Sequence, residues 1–200
     1  MIWTQTLRGK AFDLLNPDPK LVDFKEIADQ LSTIHRYAGA AEKPVSVARH
    51  TLIAFDAAQP QDRAVVLLHD AHEAYIGDLT TPAARALAAR IKRQSGTKAA
   101  ESFELGLYSL KLELDAVIYA AAGLAMPLPA QRARIKRADL IALRTERRDF
   151  LAKPPQPWAA EIEALAPLPK KYKLRPAPDL AEELFEKFKT YLPALRQSAA

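Results

Sequence analysis

Glycine is scarce in this chain, six of 200 residues, while Ala, Leu, Glu, Lys and Arg are abundant. A backbone with so few residues free to enter left-handed turns, and so many good helix formers, is steered toward helices. No stretch shows the strict apolar–polar alternation between turn signals that marks paired strands. The expected fold class is therefore all-α, a helical bundle, and 200 residues suit one domain spanning 1–200. The 49% of hydrophobic residues is enough to fill its core.

The helices can be placed by apolar spacing and by end signals. Residues 1–20 read as irregular. Phe24, Ile27, Ala28 and Leu31 predict a helix over 23–33. A second is expected over 44–58, with Pro44 at its first position. A third spans 61–75, carries the apolar run Val65–Leu68 and stops at Gly77. Others follow at 82–94, 97–123 and 129–151. Residues 153–178 hold seven of the fifteen prolines and read as a wrapping segment. Leu180, Leu184, Phe185 and Phe188 predict a last helix over 179–192.

Composition removes several functions. With no cysteine, disulfides, thiolate metal sites and cysteine nucleophiles are excluded. The N-terminus lacks the basic-then-apolar layout of a secretory signal, and Ala116–Ala130 is too short and too Pro-broken to span a bilayer. These features suit a soluble cytoplasmic protein with no membrane partner. A net charge of +5 suits anionic ligands without choosing one.

The chemistry gathers in one place. All four histidines, 35, 50, 69 and 72, fall within 38 residues and sit among acids. The densest text is His69-Asp70-Ala71-His72-Glu73, directly after the apolar run. Polar groups at the end of a buried helix need partners, and a divalent ion satisfies imidazole and carboxylate together. On a helix, His69 and Asp70 would point about 100° apart and grip one ion between them. Glu73 would share their face. Asp78, just past Gly77, would lie over the same pocket. His35 and His72 read as structural, or as residues that support the ligands without binding the ion themselves. His72-Glu73 opens like a zinc-protease motif, but position 76 is Ile, so that reading fails.

These residues resemble the HD-domain metal-dependent phosphohydrolases, whose pattern is a lone His, a His-Asp doublet and a distant Asp. Here those are His50, His69-Asp70 and Asp139. Residues 67–82, Leu-Leu-His-Asp-Ala-His-Glu-Ala-Tyr-Ile-Gly-Asp-Leu-Thr-Thr-Pro, are similar to the bacterial 5′-deoxynucleotidase subgroup and its prophage-borne relatives. The likeness extends to Arg36-Tyr37, Ser46–His50 and Thr145–Asp149, over most of 20–150.

The resemblance implies an HD-type bundle with one divalent transition metal (Co, Mn, Fe, Ni or Zn) on His50, His69, Asp70 and Asp139. It implies Glu73 as the carboxylate on the attacking water and Asp78 as proton donor to the leaving oxygen. Arg36 and Lys136 would bind phosphate, and Tyr37 would lie beside the nucleotide. Binuclear members use more histidines after the doublet, and none follows position 72, so one protein-bound ion is expected. Homo-oligomers, dimers or larger, also occur among such proteins.

The expected activity is hydrolysis of a 2′-deoxynucleoside 5′-monophosphate. Relatives often carry a lysine two residues after the loop proline; here Pro82 is followed by Ala83, Ala84 and Arg85. That departure leaves triphosphate hydrolysis open. A phosphodiesterase and a non-enzymatic nucleotide or nucleic-acid binding module are the other readings. The basic segment 170–175 interleaves only Tyr172 among its four cations, which reads as a solvated face and disfavours nucleic acid as partner.

Overall fold

Capping residues set where the helices begin. In the computed structural model, which describes residues 1–197, the Asp23 carboxylate accepts from the backbone N–H groups of Lys25 and Glu26 and starts α1 at Phe24–Thr33. The Ser46 hydroxyl accepts from Arg49 N–H at 3.2 Å and starts α2 at Val47–Ala57. Pro44 therefore lies before this helix and not at its first turn, because the cap and not the proline fixes the boundary.

The chain continues through α3 (Arg63–Val66), α4 (Glu73–Ile76), α5 (Thr81–Ser95), α6 (Thr97–Ala121) and α7 (Pro129–Phe150). After them come α8 (Ala160–Glu163), α9 (Ala177–Tyr191) and α10 (Pro193–Gln197). The fold is an all-α bundle. Among the described residues the single sheet is a hairpin of β1 (Trp3–Gln5) and β2 (Ala11–Asp13), where irregular chain is expected from sequence. Three-residue strands are too short for alternation to register. The hairpin is held by Phe12, fully buried and stacked on Tyr75 with ring centroids 3.9 Å apart.

Two helix pairs build the core. The stripe Phe24, Ile27, Ala28 and Leu31 of α1 lies on Leu180, Leu184 and Phe188 of α9, with Phe24 edge-on to Phe188 at 5.6 Å. Truncating a buried phenylalanine such as Phe188 to alanine would cost about 3–5 kcal/mol. The second pair is α2 against α7. Helix α2 is buried on every side from Val47 to Phe55, so His50 sits at the centre of the molecule.

The expected helix over 61–75 is broken. Between α3 and α4, Leu68, His69 and Ala71 donate their backbone N–H to the residue three back, the tighter 3₁₀ pattern. Two bonds explain the break at His69: its ring Nδ1 and its backbone N–H both converge on Val66 O, at 2.7 and 3.4 Å. Residues 153–178 run as mostly irregular chain, tied down by Arg144 and Arg147 to Glu163 and by Arg148 to the carbonyls of Leu168 and Lys170. No helix among the described residues is long and apolar enough to cross a membrane.

Candidate metal centre

His50, His69 and Asp139 come from α2, the tight turns and α7, and their ligand atoms meet within 4.8 Å of one another. His50 Nε2 stands 3.2 Å from His69 Nε2 and 3.1 Å from Asp139 Oδ1. Asp70 Oδ2 joins them, 3.2 Å from His69 Nε2 and 3.6 Å from His50 Nε2. Three of the four sequence-predicted ligands thus form one group that could hold a metal ion, and the fourth, Asp70, lies against its two histidines.

Both rings are locked in the orientation that a metal needs. His50 Nδ1–H donates to Glu146 Oε1 at 2.7 Å, and His69 Nδ1–H donates to Val66 O at 2.7 Å. In a neutral ring this leaves Nε2 as a lone pair, and the two lone pairs face each other. With bonds of about 2.1 Å, neighbouring donors on one ion stand about 3.0 Å apart in an octahedron and about 3.4 Å apart in a tetrahedron. The observed separations of 3.1 to 3.6 Å fit that range, and two imidazoles with two carboxylates suit a first-row divalent ion.

The electrostatics agree. Burial alone would lower the His69 ring, but the charge of Asp70 and its hydrogen bond, with Asp139 behind, push it up to about 9. The His50 ring is also raised, against burial and Arg36, by Glu146 and Asp139. Asp70 and Asp139 are correspondingly lowered despite burial, by the two histidines.

Glu146 is the residue that sequence reasoning misses. It is fully buried, accepts from His50, accepts the Tyr37 hydroxyl, and faces Arg36 Nε at 3.3 Å. A signal existed: it lies seven residues after Asp139, two turns along α7 and on the same face. Groups of this kind fix the ring orientation of a metal-bound histidine.

The remaining predicted residues surround the cluster unequally. Arg36 lies between carboxylates, with Nη1 3.4 Å from Asp70 Oδ2. Tyr37 reaches Glu146 and lies at a tilt to Trp158, in left-handed backbone (φ +57°) with Ala38 (φ +52°). Two such residues in a row are costly and persist only where neighbours hold them. Glu73 is 5% exposed and its Oε2 is buried without a hydrogen-bond partner among the described residues. Burial, then the charges of Asp70 and Asp78, push this carboxyl up to about 9. Asp78 is half-buried and raised by burial, and its turn depends on Gly77 (φ +75°). Lys136 is exposed and binds Asp139 Oδ2 at 2.7 Å, leaving Oδ1 to His50.

His72 binds Asp115 Oδ1 through its ring Nδ1 at 2.9 Å, while its Nε2 is buried without a hydrogen-bond partner among the described residues. His35 lies apart from the cluster, in an isolated bridge to Ser46. A cavity of about 420 Å³ opens on His69, Asp70 and Asp139. Its walls carry three cations (Lys111, Arg132 and Lys136) and apolar surface from Tyr108, Leu112 and Met126.

The molecule is thus an all-α protein in which a His50, His69 and Asp139 group, with Asp70 beside it, opens on a cavity lined by both cations and carboxylates. The chain is 32% identical over 155 residues to the uncharacterized protein RCAP_rcc00048 of Rhodobacter capsulatus, covering 72% of this chain and 70% of that protein. It is 34% identical over 152 residues to the uncharacterized protein YfdR of Escherichia coli K12, covering 75% of this chain and 73% of that one. The chain belongs to the family of these two proteins, whose names state no activity. No model of a known protein family matches it.

Proposed function

We propose that this protein is a metal-dependent phosphohydrolase acting on a 2′-deoxynucleoside 5′-monophosphate. The observation that carries the reading is the pair of facing imidazole Nε2 atoms, 3.2 Å apart between two carboxylates, with a partnerless buried Glu73 nearby. The HD-type motif at 67–82 supports the same reaction class. A divalent ion held by His50, His69, Asp70 and Asp139 supplies Lewis acidity, making water more acidic and drawing charge from a phosphoryl oxygen.

The chain's own groups do the rest. Glu73 takes the proton of the attacking water as its oxygen bonds to phosphorus. The bond from phosphorus to the 5′ oxygen breaks, and Asp78 gives that oxygen its proton. The products are nucleoside and inorganic phosphate. A carboxyl held near 9 is poorly ionised at neutral pH, and a cation held by the cluster would favour its ionised, proton-accepting form. Asp78, raised by burial, suits the donor role. Arg36 and Lys136 offset the charge of the phosphate.

The cations Lys111, Arg132 and Lys136 around the cavity favour a second reading, a triphosphate substrate cleaved to nucleoside and tripolyphosphate. One experiment tests both. Deoxynucleoside mono-, di- and triphosphates are incubated with the protein and Mn, Co, Ni, Zn or Mg ions, and phosphate and polyphosphate are measured. Phosphate from the monophosphate is the expected result. Tripolyphosphate from the triphosphate alone selects the second reading. No product with any ion defeats both.

A further inference from the structure

Charge is unevenly used in this molecule. Among the described residues, every arginine outside α5 except Arg137 has its side chain in a hydrogen bond or ion pair: Arg134 on Asp62, Arg147 on Glu163 and Arg148 on Asp149 are examples. On α5, Arg85, Arg90, Lys92 and Arg93 are all exposed and none has such a partner. Residues 79–100 contain five cations, counting Lys98, and no Asp or Glu. This is not the segment that looks basic in sequence. In 170–175, Lys170 pairs with Asp56 and Arg175 with Glu183.

The helix itself is nearly free. Of its fifteen residues only Ala88 is buried, in the stripe Ala84, Ala88, Ile91, and its main packing is on α6. Exposed Ala83, Ala86 and Ala89 lie between the cations on the rest of the surface. Four unpaired cations on a slim, alanine-lined helix repel one another and attract a polyanion. We propose that α5 docks on the phosphate backbone of duplex DNA, independently of the hydrolytic reading above.

The chemistry selects this polyanion over others. Binding to an anionic membrane needs several large apolar or aromatic side chains on the face opposite the cations, and α5 offers there one exposed leucine, Leu87, beside the stripe that packs on α6. Single strands are held by aromatics interleaved with cations, and α5 has no aromatic residue. A major groove of about 12 Å admits one α-helix, whereas the deep, narrow groove of duplex RNA does not.

The test is fluorescence anisotropy with a labelled 20-base-pair DNA duplex of arbitrary sequence, titrated with the full chain at several salt concentrations. Four phosphate contacts predict a log–log salt slope of about 3 to 4, or about 100-fold weaker binding between 50 and 200 mM salt. The variant R85Q/R90Q/K92Q/R93Q should lose most of the affinity at 50 mM and flatten the slope. A control with the same loss of charge elsewhere, K10Q/K20Q/K153Q/K171Q, should keep both; circular dichroism checks that each variant is folded. The proposal is overturned if the wild-type chain does not bind duplex at 50 mM salt, or if the two variants weaken it equally. Tighter binding to single-stranded DNA, or to phosphatidylserine vesicles, also overturns it.

Discussion

The centre of the molecule and the α5 surface use charge in opposite ways. At the centre, Arg36, His50, His69, Asp70, Asp139 and Glu146 are packed so that each touches an opposite partner. Burial makes this necessary, since an unpaired charge there would cost several kcal/mol. On α5, four cations stand in water with no partner. The central charges are tied to geometry, whereas those of α5 are tied only to sign. Substitutions should therefore be severe at the centre and nearly silent for folding on α5.

The largest effect is expected at the ligands. His50→Ala removes a fully buried ring that touches four members of the cluster. Metal binding measured by calorimetry should fall below detection, and phosphate release, where the proposed reaction holds, should vanish with it. Asp70→Ala should behave alike. Glu73→Gln is the sharper case: it should keep the metal while turnover falls by about 10²–10⁴-fold. Loss of the metal in that variant would move Glu73 from proton transfer to ligation.

One step outward, Glu146→Gln keeps the shape behind His50 but removes the negative charge that orients its ring. Metal affinity should drop by about 10–100-fold. An unchanged affinity would show that the ring is held by packing alone. Much of this centre was legible in sequence because each ligand sits in a distinctive local text, such as the doublet after an apolar run. Glu146 was not, because a lone glutamate in Thr-Glu-Arg-Arg looks like helix surface. Its role exists only once the fold brings it to His50, 96 positions earlier in the chain. Similarly, α1 and α9 announce themselves by their apolar stripes. The turns at 67–72 do not, because the His69 side chain, not the apolar pattern, bends them.

A pH series sharpens the contrast further. The His69 ring is raised to about 9 in the metal-free protein, so its ion pairing stabilises that form fully below its ordinary value near 6.5 and is lost as pH rises toward 9. A metal must displace this proton. Its affinity should therefore increase with pH, by up to about tenfold per unit for each ring proton displaced. Calorimetry at pH 6.5, 7.5 and 8.5 checks the sign. An affinity that falls over this range would mean that the rings are neutral before the ion arrives.

The smallest effect is expected on α5. The variant R85Q/R90Q/K92Q/R93Q replaces four exposed side chains that touch no partner, and Gln is nearly as good a helix former as Arg or Lys. Arg90 and Arg93 are one turn apart and repel each other, so their removal offsets the slight loss in propensity. The urea midpoint should shift by an amount worth no more than about 0.5 kcal/mol in either direction. By contrast Arg134→Gln, which strips Asp62 of an ion pair at 2.6 Å and leaves it only Gln131, should lower the urea midpoint more than the α5 variant does. If the α5 variant were the more damaging of the two, its cations would be making contacts inside the fold, and the distinction between a committed centre and an uncommitted surface would fail.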